Sequence, residues 1–195
     1  MPSMSDATSQ VEPDSTDSTD LTGPAGFPSV SADSYRAVMR HWPSGVTVIT
    51  MPTADGPHGM TASAFTSVSV DPPMILIVVD RRWRSHAMIE AAGAFCVNIL
   101  SAEQRDVSDR FAGRHGDLPD RFAGVPTTTA VTGSPCLVEA IGYLDCVVMQ
   151  THTAGDHTVF IGRVVAGHVG DVAEPLLFHN TRYRRLGMIS GDELG

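Results

Sequence analysis

Read for its hydrophobic and polar positions, the chain changes character near Ser31. Residues 1–30 ("MPSMSDATSQVEPDSTDSTDLTGPAGFPSV") are dominated by Ser, Thr, Asp, Pro and Gly. A segment so poor in apolar residues cannot bury enough surface to offset its chain entropy. It is expected to be a disordered tail, with residues 31–190 forming the folded domain. In "SADSYRAVMRHW" the residues Tyr35, Val38, Met39 and Trp42 fall at helical spacing behind Ser31 or Asp33 as N-cap, and Pro43 and Gly45 end the helix. "VTVITM" (Val46–Met51) is a β-rich run followed by the turn "TADGPHG". "MILIVV" (Met74–Val79) is apolar throughout, which predicts a strand buried on both faces. "RSHAMIEAAG" predicts a short helix with Ser85 as N-cap and Gly93 as C-cap, and "AFCVNIL" another strand. Ser101 and Gln104 form a capping box before "AEQRDVSDRFAG". "CLVEAIGYLDCVVMQ" (Cys136–Gln150) reads as one long strand with Gly142 as a bulge or bend. The turn "TAGDH" and the strand "TVFIGRVVAGHV" complete a long hairpin, and "PLLFHNTRYRRL" closes the domain.

This pattern gives six or seven mostly hairpin-connected strands and two or three short helices. It has no βαβα rhythm and no G-x-G-x-x-G after a strand, which argues against a Rossmann domain and favours a mainly β fold, a small antiparallel barrel with helices over its ends.

Length and charge narrow the classes further. At 195 residues the chain suits one domain with a core that needs no disulfide or metal. Cys96, Cys136 and Cys146 are odd in number and lack metal-ligand spacing, as expected of buried, reduced thiols in the cytoplasm. No apolar run is long enough for a membrane span, and the N-terminus lacks the pattern of a secretory signal. The formal charge is −9. Five acids precede residue 31, leaving 17 acids against 13 bases, still net acidic and unsuited to general nucleic-acid binding. All 13 bases are Arg, which excludes Schiff-base and P-loop lysine mechanisms.

Three stretches carry candidate chemistry. "HGMTASAFTSVSVDPP" holds the hydroxyls of Thr61, Ser63, Thr66, Ser67 and Ser69. "FTSVSV" alternates, with Phe65, Ser67 and Ser69 on one face, whereas "GMTASA" does not. The stretch fits either a half-exposed strand or a cradle whose open backbone binds a planar polar ring or phosphate oxygens. "DRRWRSH" gathers Arg81, Arg82 and Arg84 before a helix start, which fits an anion site as well as an exposed basic turn. His157 follows a turn at the head of a strand, the position of a surface histidine or of a ligand contact. No His pair has H-x-H or H-x-x-x-H spacing, which argues against a metal site, and no G-x-S-x-G supports a nucleophile.

In order along residues 34–187, "MRHWPSGVTVIT", "HGMTASAFTSVSVDPP", "FCVNIL", "FAGR", "GDHTVFIGRV" and "PLLFHNTRYRRL" resemble the short-chain flavin reductases. These are the small components of two-component flavin-dependent monooxygenases. The resemblance implies an FMN-binding split β-barrel, antiparallel and Greek-key, with a few short helices, assembled as a homodimer with flavin near the interface. It implies NAD(P)H-dependent reduction of FMN or FAD, the reduced flavin diffusing to a separate monooxygenase. Carried onto this chain, Thr61, Ala62, Ser63, Ala64 and Phe65 resemble the segment that holds the isoalloxazine ring, and Ser67, Val68 and Ser69 continue that wall. Many members carry Asn where this chain has the shorter Ser63. Arg84, Ser85 and His86 lie where members hold the flavin phosphates, and His157 where they meet NADH or NADPH. The segment from Phe178 to Tyr183 resembles the one that closes over the pocket. Two other readings use the same fold: a flavin-binding protein without turnover, and an oxidase of pyridoxamine phosphate, which "GDHTVFIG" argues against.

Overall fold

The computed structural model describes residues 28–187 apart from 117 and 172. The expected tail therefore lies almost wholly outside the described residues. Helix α1 (Ala32–Met39) starts at Ser31, whose hydroxyl accepts the Ser34 N–H at 3.1 Å. Strands β1 (Ser44–Gly45), β2 (Thr47–Thr53), β3 (Gly56–Ala62), β4 (Phe65–Val70) and β5 (Pro73–Asp80) follow. Helix α2 (Arg84–Ala92) leads to β6 (Ala94–Ile99), a 3₁₀ turn at Ala102–Gln104 and helix α3 (Arg105–Phe111). The rest is β7 (Thr127–Thr129), β8 (Pro135–Leu137), the hairpin of β9 (Gly142–Ala154) and β10 (His157–Val169), then β11 (Leu177–His179) and β12 (Arg182–Arg184).

Seven strands form one antiparallel sheet in the order β3-β2-β6-β9-β10-β5-β4. Its two outermost strands, β3 and β4, are joined by Ser63 and Ala64 alone. Three virtual bonds of about 3.8 Å limit the gap from Ala62 to Phe65 to about 11 Å. Two opposite sheet edges can meet over that distance only if the sheet curls into a barrel, split where β3 and β4 face each other. The inner face packs Ile49, Met51, Ile75, Ile77, Val79, Phe95, Val97, Cys146 and Phe160 around Ile89 of α2. A second core (Val46, Val48, Leu100, Phe111, Leu137, Ala140 and Leu176) seats α3 and β8 on the outside.

Several local expectations change. Only Ile75, Ile77 and Val79 of β5 face the core; Leu76 and Val78 turn outward onto a cleft, so an unbroken apolar run here marks a core face and a cleft face. The long strand from Cys136 is two, because the chain turns at Glu139–Ile141 to place Leu137 and Ala140 in the second core. Gly142 begins β9, and the register shifts in its pairing with β10 leave one extra residue on each strand, Met149 on β9 and Val165 on β10. Alternation in β4 breaks at a bulge between Ser67 and Ser69. The α2 N-cap is Trp83, which makes no side-chain cap bond. Ser85 is drawn inward by His58, its Oγ 2.9 Å from Nε2.

Candidate functional site

The Ser63–Ala64 link is exposed, and its small side chains leave the backbone open. Ala64 is tied to the barrel through its carbonyl, which accepts the Val78 N–H at 3.1 Å. Beside it opens a cleft of about 670 Å³. Ser63, Ala64, Phe65 and Thr66 line one side, Leu76 and Val78 the floor, and Trp42, Phe178 and the hairpin tip His179–Thr181 the other side. The volume lies within the roughly 300–1,000 Å³ typical of small-ligand sites, and an apolar floor with a few convergent polar groups suits a flat aromatic ring. Arg36 of α1 and Arg40 at its C-terminal cap stand at its edge.

A smaller pocket of about 200 Å³ adjoins the cleft through Ser63 and Phe178, which line both. Its other walls are Val46, Thr61, Ser108, Ala112, Arg114 and Tyr183. Helix α3 organises it. The Thr61 hydroxyl donates to the Ser108 carbonyl at 2.6 Å, and the Ser108 hydroxyl lies 3.0 Å from that of Tyr183. Tyr183 donates to Asp109 Oδ1 at 2.7 Å, and Arg114 Nη1 donates to the same oxygen at 2.7 Å. Burial alone pushes the Asp109 carboxyl up, but the Tyr183 and Arg114 bonds outweigh it and hold the group below its ordinary range. Burial raises the Tyr183 phenol.

The structure thus brings Thr61, Ser63, Ala64, Phe65, Phe178 and Tyr183 around two adjoining pockets. Ala62 ends β3, its carbonyl accepting the Thr47 hydroxyl at 2.8 Å. Ser67, Val68 and Ser69 continue along β4 beyond the lining of either pocket. Arg84 is exposed beside an apolar groove formed with Pro52–Ala54 and Met88. Ser85 and His86 are buried, His86 Nε2 lying 2.7 Å from the Thr158 hydroxyl and its ring meeting Phe160 edge-on. His157 pairs with Asp80 across β10 and β5, on the outward face shared with Val78, and its Nδ1 lies 2.6 Å from Asp156 Oδ1. Two strand spacings and two residues of rise put it on the order of 12 Å from Ala64. Asp80 itself is held down to about 2 by hydrogen bonds from the Arg82 side chain and backbone.

The sequence reading overlooked Ser108, Asp109 and Arg114. The one signal for them was "FAGR", which reaches Gly113 and Arg114 but not the carboxylate before it.

Residues 39–187 match the model of the flavin reductase like domain. The chain belongs to the flavin reductase-like family. It is 38% identical over 152 residues to the reductase subunit of a flavin-dependent monooxygenase from Mycobacterium tuberculosis, covering 77% of this chain and 80% of that one. It is 37% identical over 169 residues to an NADH-dependent flavin reductase from a Rhodococcus species, covering 85% and 93%. Among solved structures, the NADH:FAD oxidoreductase SgcE6 of Streptomyces globisporus, in complex with NAD and FAD fragments, matches with a TM-score of 0.74 at 33% identity, over 83% of this chain and 94% of that one. The split-barrel fold and the family both agree with the sequence reading.

Proposed function

We propose that this chain is an NAD(P)H:flavin oxidoreductase, the small component that supplies reduced FMN or FAD to a separate monooxygenase. The observation that carries the reading is the cradle: exposed Ser63 and Ala64, at the closure of the barrel, open onto an apolar cleft the size of a ring-binding site. Small residues there let a planar ring approach backbone amides, and Phe178 offers it an aromatic wall. In this reading Thr61 to Phe65 hold the ring, with Ser67, Val68 and Ser69 extending the wall. Arg84 and the first turn of α2 meet the phosphates. Ser85 contributes there through its backbone N–H, since its side chain is engaged by His58, while His86 backs the turn with its own N–H donated to the Trp83 carbonyl at 3.0 Å and its ring held by Thr158. His157 contacts the nicotinamide nucleotide, and Phe178 and Tyr183 close the pocket.

When bound, flavin supplies the redox chemistry as hydride acceptor. The residues' part is to hold two rings at reacting distance and exclude water; the transfer itself calls for no acid or base from the protein. Tyr35, Val38 and Met39 on α1 and Trp42 just after it, with Val68 and Val70 on β4, leave large apolar side chains exposed beside the cleft. That supports a homodimer in which a second copy covers them. Three buried free thiols support a reducing, cytoplasmic setting, and among the described residues no helix is long and apolar enough to cross a membrane.

The test is NADH and NADPH oxidation followed in air with FMN or FAD added. A flavin-stimulated rate is expected. Flavin binding with no stimulated rate would favour a flavin-binding protein without turnover. Light scattering of the purified chain reports whether it is dimeric.

A further inference from the structure

Arg114 is prepared for a ligand. It lines the smaller pocket with Thr61 and Ser63, and its guanidinium lies 5.3 Å from the centre of the Tyr183 ring. Its bonds to Asp109 and to the Tyr183 hydroxyl both leave from Nη1, so Nε and Nη2 stay uncommitted among the described residues. The holding group is well fixed: Asp109 is mostly buried, is bonded by Tyr183, and has Arg105 at 3.6 Å on its other oxygen. A long cation is thereby ordered before any ligand arrives, with two planar donors to spare.

We propose that Arg114 binds the polar edge of the flavin ring and that Asp109 is the positioning residue that holds Arg114 and Tyr183 in place for it. The proposal rests on the flavin reading above. It assigns the ring rather than the phosphate because the pocket is walled by Thr61 and Ser63 and shares Ser63 and Phe178 with the cleft. The sign of one substitution separates positioning from plain charge. Removing the Asp109 carboxylate makes the pocket more positive, so electrostatics alone would tighten an electron-rich ring edge. Loss of positioning weakens it instead.

The experiment is a fluorescence titration of the full chain with lumiflavin, which lacks a phosphate, and with FMN. Thermal unfolding of each variant is recorded alongside. Asp109→Asn and Arg114→Ala are each expected to raise Kd for both flavins about tenfold, the scale of one charge-assisted hydrogen bond. The double variant should be no worse than Arg114→Ala, because both changes act through one guanidinium. Arg114 is about half exposed, so its removal tests the pocket without threatening the fold. An unchanged or tighter Kd in Asp109→Asn would overturn the proposal. So would additive losses, or a lowered Tm with unaltered binding. A loss seen with FMN but not lumiflavin would move Arg114 to the phosphate and overturn the ring assignment. If the unaltered chain quenches neither flavin, the underlying flavin reading fails instead.

Discussion

Gly59→Ala should disturb the site without touching it. Gly59 lies on β3, two residues before Thr61, under helix α3. A Cβ there would sit 2.7 Å from Phe111 Cε1, 2.8 Å from Cδ1 and 3.3 Å from Phe122 Cζ. Ordinary carbon contacts begin near 3.5 Å, so the ring has to retreat by about 0.8 Å. Phe111 cannot swing aside, being 1% exposed and packed edge-on against Phe122 at 4.9 Å. The retreat therefore moves the C-terminal end of α3, which carries Ser108 and Asp109. Overpacking of this kind costs about 1–3 kcal/mol, or a Tm drop of roughly 2–10 °C for a domain of this size. The Ser108 carbonyl would lose its 2.6 Å bond from Thr61, and flavin Kd should rise severalfold. Calorimetry and a flavin titration measure both. Phe111→Leu in the Gly59→Ala background should recover part of each loss. A single Gly59→Ala variant with wild-type Tm and wild-type flavin affinity would refute the link from α3 to the cradle.

Other perturbations test other parts. His157→Ala is expected to raise KM for the nicotinamide nucleotide about tenfold while flavin Kd stays within twofold; an unmoved KM removes His157 from that site. Thr181 holds φ near 62° at the hairpin tip lining the cleft, unfavourable for a β-branched residue. Thr181→Gly should stabilise the chain by about 0.5–1 kcal/mol in urea unfolding, and a loss of stability would contradict that. His58 is held below its ordinary value of 6.5 by burial, then by Arg121 and Arg84, so the fold favours its neutral form. Its contribution is complete above pH 6.5 and is lost as pH falls through the lower folded value. His58→Gln, which keeps a partner for Ser85, should flatten the acid side of a Tm-against-pH curve; an unaltered slope would exonerate His58.

Local pattern was enough for elements set by nearby residues. Ser31 caps α1 and Ser101 with Gln104 boxes the 3₁₀ turn, because such bonds span three residues. The hairpin β9–β10 follows from two β-branched runs around Gly155, whose φ of 63° suits glycine. What escaped depends on partners far along the chain. His58 recruits Ser85 from 27 positions away, which empties the expected N-cap role. Leu76 and Val78 look like core until the barrel closes and leaves them facing the cleft. The Asp109–Tyr183 pair spans 74 positions, so no window of sequence could show it, whereas the residues from Ser63 to Thr66 that line the cleft are consecutive and stand out as a run.

The two-residue joint between β3 and β4 also has a kinetic meaning. Its ends belong to strands at opposite limits of the sheet, so the cradle acquires its shape only when every intervening strand has found its register. A chain arrested with the β9–β10 hairpin formed but the sheet still open has no closed cleft to offer a ligand. During refolding, quenching of flavin fluorescence should therefore appear last, after strand signals in circular dichroism are complete. Free flavin would draw the equilibrium toward the closed form by mass action, making the ligand a late-acting stabiliser of newly made enzyme.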